Sequence, residues 1–200
     1  MIRDWRVVYP SSWLSNSSLP RVVMLISTSI DTNCWAQLHI LNMWDLFAIQ
    51  ISDEFGKLTI FDLYNDCHNS NTIDALGEYL VSQPQVPHPS HLDYSIWCGD
   101  FNRHHPMWDE EWNHHLFTAG VLEDSRKLLT LVVDSNMVMA LLKDIPTLEL
   151  MSTKDWMRPN NVFCSSNLEE KIVYCTTNPR LRGPGTDHVP ILTALEFLVT

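Results

Sequence analysis

The sequence predicts a layered α/β sandwich with a cleft at one edge. Three observations carry that expectation. Many short apolar runs of strand length are spread along the chain. Two stretches show convincing helical periodicity. Several of the apolar runs stop on polar residues, and polar groups at strand ends are where a layered fold places its chemistry. Two hundred residues with 45% apolar content suit a single domain over residues 1–200 with a sizeable core.

Taken in order, Trp5 to Pro10 reads as a strand, and the polar stretch Ser11 to Pro20 as a loop. The continuous apolar run Arg21 to Ser27 reads as a buried strand. Cys34 to His39 is short and ambiguous between states. Asp45 to Ile51 and Lys57 to Tyr64 alternate well enough to be strands, and Ser52 to Gly56 between them makes a hairpin. Asn71 or Thr72 can cap a helix running to about Ser82, with Asp74 in its first turn and Ile73, Leu76 and Leu80 on one face. Gln83 to Pro89 holds three prolines and must be extended. Tyr94 to Cys98 is a short buried strand. Val121 to Val133 is the second helix, with Leu122, Leu128, Leu129 and Val132 facing in. Met137 to Ala140, Thr147 to Leu150, Asn161 to Cys164 and Ile172 to Cys175 are short strands. Asn178 to Thr186 is a loop, and Pro190 to Val199 a last strand.

The run Trp97 to Trp108 is the stretch around which the rest is organised. A strand that stops on Gly99-Asp100-Phe101-Asn102 carries a carboxylate and an amide two residues apart. Strand alternation would point both into one cleft. A carboxylate there can bind a hard cation or take a proton from water, and an amide can hydrogen-bond a phosphate oxygen. The same residues are also ordinary turn formers.

The net charge of −11 argues against broad attraction to a polyanion. The acidic surplus lies in the first 150 residues, and the last fifty are balanced. Any phosphate-facing surface therefore draws on Lys154, Arg158, Arg180 and Arg182, with Arg103 beside the central run. Five scattered cysteines without a Cys-x-x-Cys pair suggest neither a disulfide framework nor a structural zinc site. A reduced intracellular setting follows. No stretch is long and apolar enough to span a membrane as a helix, and the amino terminus does not read as a signal peptide. The His104-His105 and His114-His115 pairs each offer one usable ligand, too few for a structural zinc site, and cleft-wall packing suits them better. Trp108 and Trp112 suit a core better than a stacking platform, Tyr64 reads as a half-buried strand residue, and Glu110-Glu111 and Glu169-Glu170 suit solvated faces.

Three separated pieces resemble the endonuclease/exonuclease/phosphatase superfamily. They are Gly99-Asp100-Phe101-Asn102 with His105-Pro106 and Trp108, then Arg158 with Asn160-Asn161-Val162-Phe163, then Thr186-Asp187-His188 with Pro190-Ile191. Leu63 to Cys67 and Asn113 to Thr118 look like its LINE-type (non-LTR) retrotransposon subgroup, fungal members above all. The resemblance implies a four-layer α/β sandwich of two mixed sheets between helices. It implies a DNA-nicking endonuclease that uses Mg²⁺ or Mn²⁺ to hydrolyse a phosphodiester. Asp100 would orient and deprotonate water, and Asn102 would hold that water or a phosphate oxygen. Tyr64 would contact the scissile phosphate, and His188 would donate to the phosphorane. Asp187, with Asp100, would serve the metal.

Two departures qualify this. The family opens with a strand, a helix and a second strand ending in a metal-binding Glu, and this sequence begins after that point, which would leave a sheet edge exposed. The family places Asp where Asn160 stands, and an amide accepts from an imidazole N–H without stabilising imidazolium. The alternative to an endonuclease is therefore a catalytically dead remnant that serves as a binding or interaction domain.

Overall fold

The computed structural model describes residues 4–10, 19–41, 43–83 and 92–197. Most of the loop expected over 11–20, the Pro-rich connection beyond residue 83 and the last two residues of the strand expected over 190–199 lie outside the described residues. The chain divides into two compact units, residues 1–99 with 198–200, and residues 100–197.

In the first unit, β1 (Trp5–Val8) pairs antiparallel with β2 (Met24–Ser27), with Val7 opposite Leu25. The ambiguous stretch resolves as β3 (Trp35–Leu38), which pairs with β4 (Leu46–Asp53). The expected hairpin then joins β4 to β5 (Gly56–Tyr64) in antiparallel register, Phe47 opposite Asp62. Its turn closes on Gly56 at φ +112°, where a Cβ would meet the Leu92 carbonyl oxygen at 2.2 Å, so only glycine fits. Val22, Ile26, Phe47 and Ile49 form the core between these layers, with Trp35, Ile60 and Tyr64 packed on it. Full burial of one such side chain stabilises by about 1.5–3 kcal/mol. The first helix, α1 (Asn71–Ser82), buries Ile73 and Leu76 as its periodicity predicts. Neither candidate caps it. Ser70 occupies the N-cap position but its side chain does not cap the helix, and the Thr72 hydroxyl donates to the Tyr64 carbonyl at 3.0 Å, tying the helix to the end of β5. Then β6 (Asp93–Asp100) lies beside β5 and ends where the second unit starts. The apolar side chains of Trp5, Val7, Val23 and Leu25 are exposed.

In the second unit, a six-residue 3₁₀ turn (Glu111–Leu116) leads into α2 (Ala119–Asp134), which starts two residues earlier than expected because Thr118 caps it, its hydroxyl accepting from the Val121 N–H at 3.4 Å. Leu128 and Val132 are buried, and Leu122 and Leu129 half-buried. Next come β7 (Met137–Met139), β8 (Leu148–Glu149), β9 (Trp156–Met157) and β10 (Asn160–Ser165). β10 pairs with β7 and β8 with β9, all antiparallel. β11 (Ile172–Thr177) pairs with β12 (Ile191–Leu195), a shorter last strand than the sequence suggested. The core centres on Phe163, whose ring meets Phe101 edge-on at 5.2 Å and Trp108 at 6.1 Å. Among the described residues, no helix is long and apolar enough to cross a membrane.

Candidate active site

The site in the second unit is built on the end of β6. Gly99 sits at φ +134°, and a Cβ there would meet the Leu63 carbonyl oxygen at 2.0 Å. The backbone passes too close to its neighbour for any side chain, which fixes where the next residue emerges. Asp100 follows, half-buried. Strand alternation does not bring Asn102 alongside it, because the strand ends at Asp100 and Asn102 adopts a left-handed conformation at φ +48°. The pair meets through a tight turn instead. The Asn102 N–H donates to Asp100 Oδ1 at 3.2 Å, and the Phe101 and Asn102 N–H groups both donate to the Pro159 carbonyl, at 3.0 and 3.2 Å. The turn thereby anchors to the residue just before β10.

Asn160 opens β10, and its Oδ1 lies 2.9 Å from Nδ1 of His188. Asp187 Oδ1 lies 3.9 Å from the other ring nitrogen, Nε2. The loop carrying both is held by the Thr186 hydroxyl, which accepts from the His188 N–H at 3.2 Å. Burial raises the Asp100 carboxyl above its ordinary range. His188, the backbone and side chain of Asn102, and His104 pull it back down. The geometry therefore brings Asp100, Asn102, Asn160 and His188 into one neighbourhood, with Asp187 at its edge. The carboxylates of Asp100 and Asp187 and the amide oxygen of Asn102 are hard oxygen donors, the chemistry that suits Mg²⁺ or Mn²⁺.

Tyr64 belongs to the first unit. It is half-buried at the end of β5, and the Arg21 guanidinium lies 4.1 Å over its ring. Arg21 is held there by Asp45 and, at 3.0 Å, by Asp66. Asp45 and Asp66 together hold the Arg21 pKa above its ordinary value. Sequence reasoning marks Asp66 and Cys67 only as part of the run Leu63 to Cys67, and misses that the ligand atoms of Asp66, Cys67 and His68 lie within 4.8 Å of one another. One Asp66 oxygen already faces Arg21, and a cation there opposes a metal.

Several assignments change. Arg158 does not face a phosphate. It is fully buried and donates to the carbonyls of Trp108, Leu141 and Leu142 and to Asn161 Oδ1 at 3.0 Å. Burial pushes its pKa down to about 10. Arg103 is buried too, donating to the Asp124 and Asn102 carbonyls, and Arg182 pairs with Glu149 at 2.6 Å. Of the expected cations, Lys154 and Arg180 remain exposed. Glu110 is not a solvated face: it is fully buried, takes a bond from Asn113 Nδ2 at 2.9 Å, and burial raises its pKa. Glu169 and Glu170 are exposed as expected. His104 engages buried Asp109 at 3.1 Å and His105 stacks by Trp108 at 5.3 Å, so this pair braces the turn. Trp108 is core, but Trp112 is 59% exposed. It lines a cavity of about 400 Å³ with Asn113, His115, Lys154 and Trp156, which sequence reading missed because its walls come from the 3₁₀ turn and the two-residue strand β9.

No family model matches this sequence, and no curated protein matches it. Solved structures do. The chain is similar to the endonuclease domain of TRAS1, a telomere-specific non-LTR retrotransposon, at 14% identity and a TM-score of 0.67, over 96% of this chain and 80% of that one. It is similar to an AP endonuclease from Archaeoglobus fulgidus at 18% identity and a TM-score of 0.66, over 97% and 80%. It is also similar to an endonuclease/exonuclease/phosphatase family protein from Leptotrichia buccalis C-1013-b at 14% identity and a TM-score of 0.59, over 98% and 74%. At such identities the likeness is one of fold: this chain has the α/β fold of the endonuclease/exonuclease/phosphatase structures.

Proposed function

We propose that this chain carries a metal-dependent phosphodiesterase site for nucleic acid, DNA foremost, and that Asn160 holds the site below the capacity of its fold. The arrangement of Asp100, Asn160 and His188 carries this reading. The nuclease character of the structural neighbours supports it. In the reaction, a water oxygen bonds to phosphorus, its proton passes to the Asp100 carboxylate, and the opposite P–O bond breaks with its electron pair leaving on oxygen. A carboxylate lifted by burial is a stronger base than a solvated one. Asn102 is the group that orients the water or a non-bridging oxygen. A Mg²⁺ or Mn²⁺ ion held by Asp187 and Asp100 would offset the charge that grows on phosphate oxygens.

His188 is where the site is compromised. With Nδ1–H given to Asn160 Oδ1, a neutral ring presents a lone pair at Nε2. Donation to a phosphoryl oxygen then requires imidazolium, which an amide stabilises less than a carboxylate. The comparable Asp→Asn change in a serine-protease triad costs about 10⁴ in rate. The same asparagine favours the second reading, a remnant that binds nucleic acid without cutting it. Incubation with supercoiled plasmid and Mg²⁺ or Mn²⁺ separates the two. Slow nicking that disappears in Asp100→Ala is expected, whereas nicking that persists in Asp100→Ala rules out the site described here. Plasmid retention without nicking supports the remnant.

A further inference from the structure

One residue ties the two halves of the His188 pair together from behind. Thr147 is fully buried, and three of its polar atoms are engaged. Its N–H donates to the Met157 carbonyl at 2.9 Å, its carbonyl accepts from the Val189 N–H at 2.8 Å, and its hydroxyl oxygen accepts from the Asn160 N–H at 3.2 Å. The next residue, Leu148, bridges antiparallel to His188, and the Glu149 N–H donates to the Asp187 carbonyl at 3.0 Å. β8 is therefore the strip on which the Asp187–Val189 backbone is registered, and the Thr147 hydroxyl is the atom that registers Asn160 against it.

That registration matters more for an amide than for a carboxylate. A carboxylate can only accept from imidazole. An asparagine can accept from Nδ1–H through Oδ1 or donate to a bare Nδ1 through Nδ2, so by itself it leaves the ring tautomer open. The choice falls to whatever fixes the amide relative to the ring.

We propose that Thr147 is a positioning residue of this site: its hydroxyl and carbonyl together set Asn160 against His188 so that one imidazole tautomer is held. The catalytic consequence rests on the phosphodiesterase reading, and the tautomer consequence does not. Thr147→Val keeps the shape and removes the acceptor, leaving the half-buried Asn160 N–H without its partner. Thr147→Ser keeps the acceptor. Ser125→Ala is the stability control, since it deletes another fully buried hydroxyl, one that donates to the Leu122 carbonyl in α2.

The test is the ¹⁵N signature of the His188 ring in the full chain, recorded at one alkaline pH for all variants. The parent, Thr147→Ser and Ser125→Ala are expected to show a single tautomer, and Thr147→Val a mixture. If Thr147→Val does not fold, Thr147→Cys gives the same comparison, because sulfur is a weak acceptor. In the plasmid assay the acceptor-less variant is expected to lose kcat by about tenfold to a hundredfold at unchanged KM. A parental signature in the acceptor-less variant overturns the proposal, as does a mixture in Thr147→Ser. A chain that never nicks, yet shows the tautomer change, refutes the phosphodiesterase reading and leaves the positioning role standing.

Discussion

Asp62 offers a stability test whose size can be worked out beforehand. It lies on β5 opposite Phe47, in the row that also carries Ile60 and Tyr64. Burial pushes its carboxyl up to about 6 from an ordinary 3.8, opposed only in part by a backbone hydrogen bond from Leu63. Ionisation is therefore costlier in the folded chain than in the unfolded one. Between roughly pH 4 and pH 6 the folded state keeps a proton that the unfolded state has released, so stability falls as pH rises through that window. At about 1.4 kcal/mol per pKa unit the full penalty approaches 3 kcal/mol, present above the folded pKa and absent below the unfolded one. Asp62→Asn removes the titration at nearly constant shape. Urea denaturation of both proteins from pH 4 to pH 7.5 cancels the other carboxylates, because they are common to the two chains. The stability of Asp62→Asn relative to the parent is expected to grow by about 2–3 kcal/mol across that range. A difference that stays flat with pH would refute the assignment of Asp62 to an apolar, desolvated position.

Two further substitutions probe the scaffold of the site. Gly99→Ala forces a Cβ against the Leu63 carbonyl at a backbone angle of φ +134°, and should cost more than about 3 kcal/mol or prevent folding. A parental thermal melt would contradict the close approach. Arg158→Ala leaves the buried Trp108 and Leu141 carbonyls, the Leu142 carbonyl and the Asn161 amide oxygen without their donor, and the nearby Asp109 and Glu110 without their cation. A loss of about 3–5 kcal/mol in chemical denaturation is expected, and a loss under 1 kcal/mol would mean that Arg158 reaches solvent.

The parts of this molecule that were legible in its sequence are those with a repeating local signal. α1 and α2 announce themselves through Ile73 and Leu76, and through Leu128 and Val132, because a 3.6-residue period survives whatever packs against it. The β4–β5 hairpin is legible for the same reason at period two. β8 falls inside the strand expected over Thr147 to Leu150, although nothing in that run marks the Thr147 hydroxyl as a partner of Asn160, whereas β9 carries two residues, too few for alternation to register, and with it went the cavity beside Trp156. The sequence puts Asp100 and Asn102 on one strand face, and the structure joins them through a tight turn instead, because the left-handed Asn102 breaks the strand rule that suggested their proximity. Arg158 and Glu110 were assigned to solvent because charge favours water. Only tertiary partners, here carbonyls and amides supplied from several segments, reverse that preference. Asn160 and His188 stand 28 residues apart with no periodicity between them. Their pairing was accessible through resemblance alone.

The central claim is that Asn160 limits a phosphodiesterase site assembled from Asp100, Asp187 and His188. The most direct measurement is the single-turnover nicking rate of Asn160→Asp beside the parent, in one buffer with Mg²⁺ or Mn²⁺. A carboxylate at this position should raise the rate by at least tenfold, toward the factor of about 10⁴ that separates the two groups in a serine-protease triad. An unchanged or lower rate, in a variant whose fold and Asp100-dependence are intact, would contradict the account.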